Sequence, residues 1–197
     1  VNLIIKNGLN TIFDRKPIEL ENKNVLIIGF GGIGKEILNR IKGFRTNNFV
    51  LSNKREKKNK NVSKFFSLKN KNKSAKKIDI VFVTIPYNER NKNFINKNFI
   101  RNLNNNSILI NVSRPGIFCS KDIFEFIKRK KIYGVGMDLF SKKDIKKYKK
   151  IKLFKNLILT PHIAGLSDKY NERHLDLIKS NIKNYLVGKK LLNSLKI

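Results

Sequence analysis

Apolar residues in this chain gather into short unbroken blocks, separated by stretches in which apolar side chains recur every third or fourth position. The blocks are Val25–Ile28, Phe49–Leu51, Ile78–Thr84, Ile108–Val112, Ile132–Asp138 and Leu157–Leu159. Strand-length runs without alternation predict strands buried on both faces of a parallel sheet. The stretches between carry helical spacing: Ile33, Ile37, Leu38 and Ile41 on one side, then Phe94, Ile95, Phe99, Ile100 and Leu103, then Ile123, Phe124 and Ile127. Ser120 suits the cap of the third helix, and Asp122 its first turn, where a carboxylate meets the positive end of the dipole. A long helix from about Asp168 closes the chain, with Leu175, Ile178, Ile182 and Tyr185 on one face. At the start, Leu3, Ile4, Ile5, Leu9, Ile12 and Phe13 predict a short helix stopped by Pro17. Its apolar side needs a cover, from another subunit or a further segment. Residues 54–77 are rich in Lys and Asn without a clear period, predicting a solvated loop, a short strand near Phe65–Phe66 and a poor helix. Ser141–Lys152 reads as a very basic loop. Strands alternating with helices, and no hairpin signal, predict an α/β fold: a doubly wound parallel sheet of Rossmann type with a long C-terminal helix. The expected organisation is a sheet domain over 1–165 with a leading helix, followed by a helical segment over 166–197.

The first block is where chemistry enters. Val25–Ile28 runs directly into Gly29-Phe30-Gly31-Gly32-Ile33-Gly34, and helical spacing begins at once. Gly29-x-Gly31-x-x-Gly34 between strand and helix is a dinucleotide fingerprint. Gly29 allows the tight turn, Gly31 lets the backbone approach a pyrophosphate, and Gly34 lets the helix pack close to the strand. Gly32 and Ile33 complete the turn, and the N–H groups and dipole of the helix start favour the diphosphate. Gly29-x-x-x-x-Gly34-Lys35 also approximates a P-loop, but Glu36 stands where a Ser or Thr would hold magnesium. A bare glycine turn without a ligand is the third possibility. About twenty residues on, an acid would bind the ribose 2′-hydroxyl of NAD. The chain instead reads Ser52-Asn53-Lys54-Arg55, which leans towards NADP, with Asn53, Lys54 and Arg55 around its 2′-phosphate. The blander reason for the same residues is that every loop here is basic. Pro86 stops the Ile78–Thr84 block at the edge where open α/β sheets bind ligands.

Composition narrows the classes. The chain has 197 residues, 40% of them hydrophobic, enough for one domain with a real core. No apolar run has the length of a membrane span, and no signal-peptide pattern opens the chain. The single cysteine, Cys119, excludes an internal disulfide and offers no metal cluster, so a cytoplasmic, reducing location is the default. The net charge of +30, from 44 Lys plus Arg against 14 Asp plus Glu, raises nucleic acid or anionic membrane as partners. The lysines are scattered, however, and accompany Asn and Ile, the residues of A/T-rich codons. Compositional drift is preferred over a binding patch, which should be local.

Four ordered blocks resemble a known family. They are the glycine turn, Ile110-Asn111-Val112-Ser113-Arg114, Gly136-Met137-Asp138-Leu139-Phe140, and Asn156-Leu157-Ile158-Leu159-Thr160-Pro161-His162-Ile163-Ala164-Gly165. Their order and spacing are similar to those of the D-isomer-specific 2-hydroxyacid dehydrogenases, which include the glyoxylate/hydroxypyruvate reductases and phosphoglycerate dehydrogenase. The tail, Glu172-Arg173, Tyr185 and Gly188-x-x-Leu191-Leu192-Asn193, is similar to one branch of them. The resemblance implies hydride transfer between NAD(P)H and a small 2-keto or 2-hydroxy acid, in a homodimer. It makes Arg114 the clamp on the substrate's carboxylate and carbonyl, a task suited to a planar guanidinium. It makes His162 the acid–base group, for which imidazole has the appropriate pKa. Asp138 would meet the nicotinamide carboxamide or cap the following loop; His174 reads as a surface group and Cys119 as packing.

Three departures accompany the matches. Lys143, beside Asp144, stands where the family pairs its histidine with a glutamate that raises the imidazole pKa. Pro115 replaces the usual glycine after the arginine, fixing φ and removing an N–H. The family's separate substrate domain lies mostly ahead of the cofactor domain, whereas this chain starts almost at that domain; a fragment or a degenerate enzyme is expected. The final helix would then pack on the missing domain. The alternatives are a non-catalytic dinucleotide-binding module and, less expected, a basic nucleic-acid-binding protein.

Overall fold

In a computed structural model, residues 17–53, 59–139, 154 and 156–194 are described. Among them seven strands join one sheet: β1 Asn24–Ile28, β2 Asn47–Leu51, β3 Lys64–Phe66, β4 Ile80–Val83, β5 Ser107–Asn111, β6 Ile132–Met137 and β7 Leu157–Leu159. Their order is β3-β2-β1-β4-β5-β6-β7, and every pairing is parallel. The chain steps outward from β1 to one edge, returns, and steps outward again from β4. That reversal is the switch point of a doubly wound sheet, where strand ends part and leave a crevice.

The unbroken apolar runs have the predicted cause. Along β1, Leu26 and Ile28 pack into one core cluster while Val25 and Ile27 pack into the other, on the opposite face. Side chains alternate across a strand, so a strand buried on both sides favours apolar residues at successive positions. Among the described residues of this body the helices are α1 Gly32–Ile41, α2 Lys71–Ser74, α3 Lys97–Ile100 and α4 Ser120–Lys128, accompanied by short 3₁₀ turns.

Three local expectations change. The apolar spacing over 94–103 yields a single helical turn, α3, because Asn96 caps it from Oδ1 to the N–H groups of Asn98 and Phe99. Ile95, one residue earlier, is drawn into a parallel bridge with Phe118. At α4 the capping position belongs to Cys119, with Ser120 already helical. Asp122 does sit in the first turn, and its carboxylate accepts from the Lys97 N–H at 2.8 Å, tying α3 to α4. Ile33, expected on the buried side of α1 with Leu38, is 56% exposed.

The chain divides into two compact units, 1–159 and 160–197. The second contains α5, Tyr170–Leu186, which begins two residues later than expected. Leu175, Ile178, Ile182 and Tyr185 are all exposed on it. After Gly188, in the left-handed region at φ +66°, the chain turns back along the helix. Asn181 bonds both the N–H and the carbonyl of Leu192, and Asn184 donates to the Lys190 carbonyl. Among the described residues no helix is long and apolar enough to cross a membrane. The leading apolar segment, Lys54, Arg55, Phe140, Lys143 and Asp144 lie outside the described residues.

Candidate functional site

The glycine turn is pinned from both neighbouring strands. Gly29 adopts φ +95°, and its N–H donates to the Leu51 carbonyl at the end of β2. From the end of β4, the Thr84 hydroxyl reaches the carbonyls of Ile28 and Gly29, each at 3.0 Å. A Cβ on Gly29 would meet that hydroxyl at 2.8 Å, besides demanding a backbone that L residues avoid. Gly34 answers a different need. A Cβ there would be driven into the Gly29 carbonyl oxygen, with Ile27 Cγ2 at 3.2 Å behind it. Its absence is what lets α1 start against β1.

On the outer side the same turn is open: a Cβ at Gly31 or Gly32 would meet nothing within 4 Å. No side chain caps α1 at Gly31, and no acid lies in its first turn. An anion can therefore come up to the helix start, where backbone N–H groups and the dipole favour it. Glu36, one position beyond the would-be P-loop lysine, is exposed and paired with Arg40. The hydrogen bond from Arg40 holds its carboxyl below the usual range, so it stays charged and offers no magnesium-binding hydroxyl. These residues fit a dinucleotide's pyrophosphate better than a triphosphate.

A cleft of about 730 Å³ opens beside the turn. Its walls are Ile33, the segment 84–87 and the segment 112–116, all at the carboxyl edge of β1, β4 and β5. This accounts for the exposure of Ile33: it lines the cleft instead of the core. Pro86 and Arg114 line it too. The loop that presents Arg114 is built on Asn111, the last residue of β5 and 1% exposed. Its Oδ1 accepts from the Ser113 N–H at 2.9 Å and its Nδ2 donates to the Arg114 carbonyl at 3.1 Å. Ser113 in turn donates its hydroxyl to the Ile85 carbonyl, joining the β4 and β5 edges. Pro115 fits this loop without loss. It takes the first position of a 3₁₀ turn, Pro115–Ile117, where a missing N–H breaks no bond and the fixed φ is already suitable.

The remaining residues fall as follows. Asp138 follows β6, is 7% exposed, and donates its N–H to the Asn111 carbonyl, so it lies beside the arginine loop. Asn53 is exposed just after β2. His162 is exposed and left-handed at φ +59°, within the unit 160–197. His174 Nδ1 lies 2.9 Å from the Tyr170 carbonyl one turn back, consistent with a surface role. The Cys119 thiol is pushed up in pKa mainly by burial, which suits packing and not nucleophilic chemistry.

Thr84 and Asn111 organise the site, although in the sequence Thr84 had no role and Asn111 only a place within a matched block. Only the strand pairing shows what each side chain reaches. Thr84→Val is isosteric and leaves the Gly29 turn without its tether. We expect a loss of about 1–2 kcal/mol in urea unfolding, with weaker dinucleotide binding in the same preparation. Unchanged values of both would show the tether to be incidental.

The family model described as D-isomer specific 2-hydroxyacid dehydrogenase, NAD binding domain, matches residues 7–164. The chain belongs to this family. It is similar to a glyoxylate reductase of Pyrococcus furiosus, at 28% identity over 83% of this chain and 48% of the relative. It is also similar to a D-3-phosphoglycerate dehydrogenase of Methanocaldococcus jannaschii, at 25% identity over 88% of this chain and 33% of the relative. Among solved structures, an acyclic imino acid reductase in complex with NADPH and D-Arg superposes with a TM-score of 0.80. The identity there is 23%, over 96% of this chain and 60% of that one, a likeness of fold. The chain spans about half the length of the curated glyoxylate reductases it matches.

Proposed function

We propose that this chain is the dinucleotide-binding part of an NAD(P)H-dependent reductase that transfers hydride to a small 2-keto acid. One observation carries the proposal: a single cleft is lined both by Ile33, from the glycine turn at the start of α1, and by Arg114. Bound NAD(P)H supplies the hydride. Gly31, Gly32 and Ile33 hold the diphosphate on the start of α1, and Pro86 and Asp138 border the nicotinamide end. Arg114 offers two parallel N–H donors to the acid's carboxylate and carbonyl, fixing which carbon faces the cofactor. The family resemblance gives His162, in the unit 160–197, the role of supplying the proton that the carbonyl oxygen takes up as it becomes a hydroxyl.

The partner assignments are those of the same proposal. The exposed apolar face of α5 supports its use as the seat of a substrate domain, with a homodimer as the assembly. The cofactor of choice is NADP, on the ground that the sequence after β2 reads Ser52-Asn53-Lys54-Arg55, basic and without an acid where the ribose is selected. NADPH should then bind the purified chain more tightly than NADH, with a preference that shrinks as salt rises. Equal dissociation constants at low salt would remove the NADP assignment alone. The activity itself is tested by cofactor oxidation with glyoxylate or hydroxypyruvate in the full-length protein. Binding of NADPH without turnover would favour a non-catalytic dinucleotide module.

A further inference from the structure

The cleft has a wall with no role so far, the ring of Tyr87. It follows Pro86 directly, is 37% exposed, and faces the same space as Ile33 and Arg114. Two neighbours hold it. Its hydroxyl donates to Glu89 Oε1 at 2.8 Å, and its ring rests on Gly116. A Cβ at Gly116 would lie 2.5 Å from Tyr87 Cε2 and 3.0 Å from Cδ2. Gly116 is not in the left-handed region, so what it supplies is room for the ring and not a special backbone.

Hydrogen bonds hold the supporting loop. Asn88 and Asn91 cap each other across one turn, and Asn91 Nδ2 donates to the Pro86 carbonyl at 2.6 Å. The Asn93 N–H reaches the Gly116 carbonyl at 2.8 Å, and the Ile95 N–H reaches that of Ile117 at 2.9 Å. Tyr87 and Arg114 therefore belong to two loops zipped into one wall. With the phenol's donor already spent on Glu89, the ring offers the cleft a flat aromatic surface and no hydroxyl to compete for substrate.

The strand order says which part of a ligand lies there. A dinucleotide with its pyrophosphate on the β1 turn sends one half over β2 and the other over β4 and β5. The ribose-selecting position follows β2, which assigns the adenosine half to that side. We propose that Tyr87 is a contact for the nicotinamide half, its ring seated on Gly116 and turned by Glu89 to pack against the flat heteroaromatic ring. This rests on the dinucleotide site proposed above and adds to it the residue that recognises the far end.

The experiment compares each of NADH and NADPH with the matching ADP-ribose, which lacks nicotinamide, in titrations of the purified chain. Tyr87→Ala should weaken the complete dinucleotides about tenfold and the ADP-ribose fragments by less than about twofold. Gly116→Ala should do the same without altering Tyr87, by pushing its ring off its seat. Tyr87→Phe, which keeps the ring and loses Glu89, should fall between. Thermal unfolding checks each fold, and if Tyr87→Ala does not fold, the other two variants carry the comparison. Equal weakening of dinucleotide and fragment would mean that Tyr87 only supports the loop, and unchanged constants would mean that it touches nothing; either overturns the proposal. A wild-type chain that binds neither ligand would overturn the dinucleotide site itself, a result distinct from intact binding that ignores Tyr87.

Discussion

Gly34→Ala is expected to abolish dinucleotide binding and to cost about 3 kcal/mol of folding free energy, the upper part of the range for forcing a methyl into a packed site. The added Cβ would collide with the Gly29 carbonyl oxygen, with Ile27 Cγ2 at 3.2 Å and the Gly29 carbonyl carbon also at 3.2 Å. Two of these atoms are backbone, and that backbone is fixed by Thr84 and by the Leu51 carbonyl. No side-chain rotation relieves the clash, so α1 must move away from β1 and carry its N–H groups off the phosphate position. Gly31→Ala provides the contrast, because a Cβ there meets nothing in the protein. It should leave denaturant stability nearly unchanged while blocking the approach of the pyrophosphate. If Gly34→Ala unfolds at the wild-type denaturant concentration, the close helix–strand contact is not what this glycine is for.

Arg114→Met in the full-length protein should lower kcat/KM for the keto acid by about 10²–10³, the loss of two charge-assisted hydrogen bonds. Arg114→Lys should recover little, since an ammonium is a point charge and cannot present two parallel donors. Stability should hardly change, because the side chain is exposed and, among the described residues, donates only a 3.3 Å hydrogen bond to the neighbouring Ser113 carbonyl. NADH binding should also persist. Parallel losses of cofactor affinity and turnover would place Arg114 on the cofactor and not on the acid. Full activity in Arg114→Met would remove it from the site.

Some of this was legible at the level of single residues. The unbroken run Val25–Ile28 is diagnostic because a strand covered on both faces favours apolar residues at successive positions. The glycine turn is diagnostic because Gly29 and Gly34 each meet a steric demand that another residue would violate. Arg114 and Pro86 lie at the sheet's carboxyl edge, where a short loop after a parallel strand must begin. The failures have equally specific causes. Ile33 has helical spacing, but the first turn of α1 overhangs the cleft, so spacing did not report burial. The run 94–103 has helical spacing too, but it is divided between a bridge to Phe118 and one turn capped by Asn96.

By itself, the order of residues determined the strands, the glycine turn and the class of fold, because these follow from periodicity and sterics within a few neighbouring positions. It could not show that Thr84 tethers Gly29, 55 residues away, or that Ser113 reaches Ile85, 28 away. Nor could it show that Tyr87 is seated on Gly116. Those partners meet only because parallel crossovers bring the ends of β1, β4 and β5 to one edge. The cleft is a product of that convergence, and only the tertiary structure decided it.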